Sequence, residues 1–495
     1  MTIPTALRVP FMYVEFDPSR AFQGPSVLQY KGLLIGQCTS SGTKYNVSAA
    51  AVGPFLIRSA DQAALYFGKG SQIHRMAIFW FQNDRVTPLY AIALNDSASG
   101  VPAVGSFAFS GTATAAGEVS AYIDGERISI GVAVGDTAAT VATAMVAAMS
   151  DSLPVSGVVA TATVNLTAKN DGTPGNDIDL RLNYQDGEEL PAGITCVVTA
   201  MSIGASDIDI ADAIDLLADE WYNIIVAPYT DATNLTLIEA ELASRFGYMR
   251  MIDGLYICSR RGTLSSLSSF GNGRNSPHIS CMENGGVTGV GSPTWSCEVA
   301  AAYAAQVSKE GQADPARPFQ RLQMVGVLPP AVTERFTLED RNVLLFDGIA
   351  TCLTDAGGKV RIERAITMYQ TNDAGAADIA YLDVNTLLTL MYLRYDFRNR
   401  ILTKYSRAKL ADDTDINFGP NQQIITPKIG KAEAIAIFRS WQELGLVENI
   451  DQFTNDLICY RPDSDPNRLD WVLPPDLINQ FRVGAATIQF LLQSP

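Results

Sequence analysis

The stretch from Ser464 to Pro495, SDPNRLDWVLPPDLINQFRVGAATIQFLLQSP, restricts the fold of this chain more than any other. Two apolar runs, 469–473 and 481–492, read as strands on either side of Pro474-Pro475, where neither residue has a backbone donor and both fix φ. Chain ends ordinarily fray, because ordering a residue costs roughly 1–2 kcal/mol. A terminus that carries Ile488, Phe490, Leu491 and Leu492 has to bury those side chains, either in a sheet of its own chain or in a neighbour's.

The other end has the opposite texture. Pro4, Pro10, Pro18 and Pro25 exclude a helix over residues 1–30, which read as an extended arm with Val9, Phe11, Tyr13, Val14 and Phe16 along it. Between the ends, 495 residues suffice for about three domains. An α/β core is expected over 31–94 and 207–371. In it, apolar strands at 27–37, 88–94, 221–227, 254–258 and 278–282 alternate with helices at 61–67, 207–219, 235–246, 294–308 and 338–346. Thr337 is the expected N-cap of the last of these, and Asp355-Ala356-Gly357-Gly358 reads as a hairpin turn.

Residues 95–206 change to Ala, Gly, Thr, Ser and Val in short alternating runs, and are expected to be an inserted β-rich domain with one helix capped by Asp136. The polar stretch 372–378, NDAGAAD, marks a boundary to a C-terminal α+β domain, 372–495, with helices at 381–405 and 431–446 and a strand at 456–461. The fold class is therefore multidomain α/β.

Charge and residue counts exclude several functions. Thirty-six basic against 52 acidic side chains give a net charge of −16, the wrong sign for a surface that neutralises phosphates, so nucleic acid is not an expected partner. The start lacks a long apolar segment, and the uncharged stretch 190–206 is broken by Pro, Gly, Ser and Thr; neither a signal peptide nor membrane insertion is expected. With two histidines and no C-x-x-C spacing there is little basis for a zinc site. FGKGS at 67–71 fails as a phosphate loop, since Ala63 stands where a glycine is required and Gly70 where a Ser or Thr is required. Asp413, Asp415 and Asn417 imitate a calcium loop, but Gly419 is one place late and Ile424 replaces the acidic ligand. The acidic and Asn side chains of 168–180 are better read as turn chemistry than as a cation site. No cofactor is expected.

Several pieces of the chain, none specific by itself, together carry a family resemblance: RVPFMYVEFD at 8–17, LLIGQ at 33–37, FGKGSQIHRM at 67–76, GNDIDL at 175–180, APYTDA at 227–232 and DPNRLDWVLPPDLINQFRV at 465–483. Spread in this order over nearly the whole length, they resemble the contractile-tail sheath proteins of Mu-like bacteriophages. The resemblance implies a virion subunit, made in the host cytoplasm, that polymerises helically with copies of itself around a tail tube. It also implies baseplate and tail terminator proteins as further partners, and a metastable extended state whose contraction drives the tube through the host envelope. Extended arms would add strands to adjacent subunits, with Val9, Phe11, Tyr13, Val14, Phe16, Leu469, Trp471, Leu473, Ile488, Phe490, Leu491 and Leu492 as the residues concerned.

The core domain of such sheaths has been compared with subtilisin, which makes a related hydrolase the first alternative. A triad would need His74 or His278 beside an activated serine; His74 lies in a polar stretch, and NSPHISC around His278 has no G-x-S-x-G elbow. No enzyme activity is expected. A non-contractile adhesin or tail component is the second alternative, and would leave the matches at both ends unexplained. The seven cysteines, Cys38, Cys196, Cys258, Cys281, Cys297, Cys352 and Cys459, cannot all pair within one chain. They read either as buried reduced thiols or, in a particle that leaves the cytosol, as a source of disulfides between copies, with Cys38 and Cys459 beside the two arms the first candidates.

Overall fold

GLLIGQ, buried at all six positions, forms β1 (Gly32–Gln37), as a strand covered on both faces should. The computed structural model that contains it describes residues 28–414 and 422–492. The arm residues Val9, Phe11, Tyr13, Val14 and Phe16 lie outside that range, as do Asp415, Asn417 and Gly419 of the calcium-like loop. The described residues divide into two compact units: 30–391 with 477–492, and 28–29 with 392–476.

In the first unit β1 is followed by β2 (Ala51–Ile57), α1 (Ala60–Phe67), α2 (Gln72–Asn83) and β3 (Leu89–Leu94). The Ser59 and Ser71 side chains cap the two helices, accepting from the Gln62 and His74 amides. The existence of α2 corrects the reading of this region as a polar stretch. Ile73, Met76, Ala77 and Trp80 bury one face, the buried His74 accepts the nearby Gly70 amide, and the buried Arg75 is held by partners brought from elsewhere in the chain.

The chain then makes β4 (Pro102–Gly111), β5 (Gly117–Ile123), β6 (Glu126–Val132), α3 (Ala138–Ala148), β7 (Val155–Ala160), β8 (Thr163–Asp171), β9 (Leu180–Leu182) and β10 (Ile194–Ser202). These form two antiparallel sheets, ordered β10-β4-β8-β7 and β6-β5-β9. Val141, Ala142 and Met145 bury one face of α3. Its N-cap is Thr137 rather than Asp136: the Thr137 hydroxyl accepts from the Thr140 amide, and the Asp136 carboxylate takes the Ala133 amide one turn earlier. Asp124 and Gly125 turn the β5–β6 hairpin, both at positive φ, the pairing that a two-residue turn favours.

The core resumes with α4 (Ala211–Asp215), β11 (Ile224–Val226), α5 (Ala232–Phe246), β12 (Leu255–Arg260), α6 (Leu264–Asn272), β13 (Ile279–Glu283) and α7 (Ser296–Ala313). It continues with α8 (Leu338–Phe346), β14 (Thr351–Thr354) and β15 (Val360–Arg364). α4 is shorter than the expected 207–219, because the Asn234 side chain binds the backbone of Ile208 and Ile210 and holds it out of the helix. The expected capping of α8 by Thr337 takes the form of a capping box with Asp340.

Six strands form one sheet in the order β13-β12-β11-β1-β3-β2, parallel throughout except for β2, which runs antiparallel along β3 at the edge. On one face Leu33, Ile35, Ile225, Tyr256 and Ile279 meet Leu235, Ile238 and Leu242 of α5 and Leu267 of α6. α7 is buried nearly all round, as a helix at the centre of a layered core must be, and its run of alanines (Ala300, Ala301, Ala302, Ala304, Ala305) permits close approach of its neighbours. The stretch 372–378 is a hydrogen-bonded turn, with the Asn372 side chain accepting from the Ala374 and Ala376 amides, and the two compact units part within α9 (Val384–Tyr405), after Met391.

The second unit contains β16 (Lys409–Leu410), β17 (Ile424–Ile425), α10 (Pro427–Glu443), β18 (Val447–Glu448), α11 (Ile450–Asp456), β19 (Ile458–Tyr460) and β20 (Asp470–Val472). Thr426 caps α10, with Pro427 at its first position. Phe438 stacks on Phe453 at 4.1 Å, and the Trp441 indole donates to the buried Asp396 at 2.7 Å, which also pairs with Arg400.

Candidate assembly site

Residues 480–482 are tied to the rest of the first unit by polar contacts. Gln480 donates to the Ala316 carbonyl, Gln320 donates to the Phe481 carbonyl, and Arg482 pairs with Asp383 at 2.9 Å. Beyond Arg482 every described residue is exposed, and residues 478–492 contain no strand. Ile488 is 87% exposed, Phe490 76%, Leu491 99% and Leu492 85%. The expectation that the chain's own sheet or a neighbour's takes these side chains is therefore not met within the single chain. A contiguous apolar segment is left in water, which is uncommon outside interaction sites.

Leu469, Trp471 and Leu473 are half-buried. β20 pairs antiparallel with β19, placing Trp471 opposite Cys459, and the Trp471 indole donates to the Gly430 carbonyl while its ring meets Phe397 edge-on. The sheet that β19 and β20 form has only these two strands, so among the described residues the outer backbone edge of β20 has no ladder partner.

The two cysteines differ. Cys38 is buried at the end of β1, its thiol donating to the Leu94 carbonyl, and burial and then Asp96 push its pKa up to about 11. A disulfide from Cys38 to another copy requires that strand end to open first. Cys459 is half-buried on β19 and is pushed up to about 11, chiefly by burial. All seven cysteines are free thiols here.

Both histidines sit in packing positions. Nδ1 of His74 accepts the Gly70 amide at 2.9 Å, and burial, reinforced by Arg75 and Lys169, lowers its pKa to about 4. His278, at the head of β13, packs against the Phe246 ring at 5.0 Å. Ser71, the serine beside His74, uses its hydroxyl as the cap of α2.

An ion cluster with no signature in the amino-acid order joins the inserted sheets to the core. The Arg75 guanidinium on α2, 2% exposed, binds Asp124 of the β5–β6 turn at 2.9 Å, Glu298 of α7 at 2.5 Å, and Glu126. Asp124 also accepts the Trp295 amide just before α7. Burial holds Glu298 well above the ordinary carboxylate range against the pull of Arg75, as expected where two enclosed carboxylates share one cation. Burial works against the charge on Arg75, but the three carboxylates outweigh it and raise its pKa. Arg75, Asp124 and Glu298 are far apart in sequence, and only the conjunction of a buried arginine with two buried acids marks them as a unit.

The comparisons with known proteins concern the whole chain. Residues 204–368 match the family described as the phage tail sheath protein central domain, and residues 376–491 match the phage tail sheath C-terminal domain. The chain is 39% identical over 493 residues to the Mu-like prophage FluMu tail sheath protein of Haemophilus influenzae, covering 99% of each. It belongs to the phage tail sheath family, in its Mu-like branch. Similar solved structures include the sheath tail protein of Desulfitobacterium hafniense, 12% identical, with a TM-score of 0.47 over 94% of this chain and all of that one. A second is the PVC sheath complex of an extracellular contractile injection system in its contracted state, 9% identical, with a TM-score of 0.46 over 98% of each chain.

Proposed function

We propose that this chain is the repeating subunit of a contractile tail sheath, polymerising helically around a tail tube in a metastable extended state and shortening to drive the tube through a cell envelope. The observation that carries this reading is the terminal segment. Ile488, Phe490, Leu491 and Leu492, clustered within five residues, all stand in solvent. Together they contribute about 6–12 kcal/mol when fully buried, of the same order as the roughly 5–10 kcal/mol that ordering residues 488–492 costs, so burial offsets the ordering and the backbone ladder supplies the margin. Added as a strand to a neighbouring copy, such as along the open edge of β20, the segment would gain about 0.5–1.5 kcal/mol net for each backbone hydrogen bond.

The arm residues Val9 to Phe16, and Leu469, Trp471 and Leu473, belong to the same proposal as the other half of the exchange. A strand held by another copy lets the subunit bodies rotate while the lattice stays joined, and the work comes from the difference between two packings, with no nucleotide. The roles as a core related in fold to subtilisin (31–94 and 207–371), an outer inserted domain (95–206) and an inner C-terminal domain (372–495) are part of this proposal. So are tube, baseplate and terminator partners, a virion location after assembly in the host cytoplasm, and the lack of enzyme activity. Negative-stain electron microscopy of the purified chain is the test. Striated hollow cylinders are expected; uniform single particles across salt and protein concentration would overturn the reading.

A further inference from the structure

The carboxyl ends of β11 and β12 meet the start of α7 at a polar pocket of about 210 Å³, wholly within the first unit and lined among others by Thr230, Ser259, Arg260, Arg261, Trp295 and Ser296. Open α/β sheets take ligands at this end of their strands. α7 is 18 residues long, and Trp295 at its N-cap has no side-chain acceptor to offer, so the positive end of the helix faces the pocket without a capping side chain.

Two further groups point to a ligand. Ser259 is 3% exposed, yet its hydroxyl has no hydrogen-bond partner among the described residues. Tyr256 and Cys258 face the cluster under α5 and α6; alternation along β12 therefore puts Ser259 on the opposite face, where α7 lies. The Nε of Arg261 is likewise buried without a partner, although its other nitrogens bind the Val290, Ser292 and Thr294 carbonyls. Unsatisfied buried donors are costly, and native structures seldom leave them without a reason.

Charge agrees with the geometry. Arg260, which the same alternation puts on the face opposite Ser259, lies at the carboxyl edge of the sheet, donates to the lining residue Thr230 and sits 4.4 Å from the centre of the Phe270 ring. Arg181 and Arg261 share Asp179, and Asp177 is occupied by the Ser296 hydroxyl at 2.6 Å. The lining itself carries two arginines, Arg260 and Arg261, against one carboxylate, Asp177, which is already engaged by Ser296, while Asp124 and Glu298 behind it are paired with Arg75.

We propose that the pocket binds a small oxyanion, held by the Ser296 and Cys297 amides at the start of α7, the Ser259 hydroxyl and the Arg260 and Arg261 guanidinium groups. The anion is either free in solution or a carboxylate presented by a second copy of the chain. This inference is independent of strand exchange and stands if that reading fails.

The test is a calorimetric titration of the full chain, dispersed, with inorganic phosphate at constant ionic strength. Saturable one-to-one binding is expected. Ser259→Ala, which removes one hydrogen bond to a charged group, is expected to weaken it about tenfold with an unchanged melting temperature. Arg260→Met keeps the aliphatic stem on Phe270 while removing the charge, and is expected to weaken it at least as much, so the test does not depend on one variant. Phosphate binding that survives assembly identifies a free anion; phosphate displaced on assembly identifies a neighbour's carboxylate. Absence of saturation, or affinity unmoved by both substitutions, overturns the proposal.

Discussion

β1 and the stretch after Arg482 are both rich in large apolar side chains and end up in opposite environments. Leu33, Leu34 and Ile35 are completely enclosed, with β11 on one side, β3 on the other and helices on both faces, whereas Phe490, Leu491 and Leu492 lie in water. Composition does not separate them; available partners do. β1 finds its ladder and its cover inside 30–391, while nothing in the described residues pairs with or covers the terminal segment. Apolar sequence thus specifies that a segment must be buried without specifying by which molecule.

The most severe way to break the contrast is to delete 485–495. Cylinder formation is expected to be abolished, while the melting temperature of the dispersed chain stays where it was; normal cylinders under the electron microscope would sink the exchange role. Arg75→Met attacks the opposite kind of site, a cation whose partners all lie in the same unit. It leaves Asp124 and Glu298 buried without their counter-charge and is expected to cost about 3–5 kcal/mol in chemical denaturation.

A matched pair of substitutions sharpens the comparison. Leu33→Ala is expected to destabilise the chain by about 2–5 kcal/mol through the cavity it leaves. Leu491→Ala is expected to leave denaturation of the dispersed chain unchanged and to raise the critical concentration for assembly. Equal effects of the two on folding would erase the distinction drawn here.

Two smaller effects concern pH. His74, neutral in the fold with its pKa lowered to about 4 from 6.5, contributes stability that is fully present above pH 6.5 and is lost as pH falls towards 4. The amount is roughly 2–3 kcal/mol, and His74→Gln is expected to flatten the pH dependence of the melting temperature in that window. Glu298 has the opposite sign. Its raised pKa means that the folded state holds the proton longer, so its contribution falls as pH rises from the ordinary carboxylate range through its native value. Glu298→Gln is expected to be within about 1 kcal/mol of the parent at neutral pH and more stable relative to it in alkali.

Much of the architecture was legible without coordinates, because it rests on period and on local chemistry. The alternation of buried strands and helices over 207–371, the hairpin at 355–358 and the Thr337 cap each depend on a few adjacent residues, and the structure has them. α2 was missed although Ile73, Met76, Ala77 and Trp80 follow helical spacing, since the charged and polar residues between them suggested exposure. That suggestion was wrong because His74 and Arg75 are satisfied by Gly70 and by Asp124 and Glu298, and no local pattern announces a partner some 50 or 220 residues away.

What the amino-acid order determined alone is the alternation of strands and helices over 207–371 and its local turns and caps, that the chain is acidic, and that its last stretch is strongly apolar. What needed the tertiary structure is where each segment's partners lie: that Cys38 is sealed while Cys459 is half open, that Arg75 joins inserted sheets to core, that two buried donors converge at α7, and that the terminal segment is uncovered at home. The physical reason is range. Dihedral preference and hydrophobic period act over a few neighbouring residues, whereas burial and ion pairing are settled only when distant parts of the chain, or of another copy, come together.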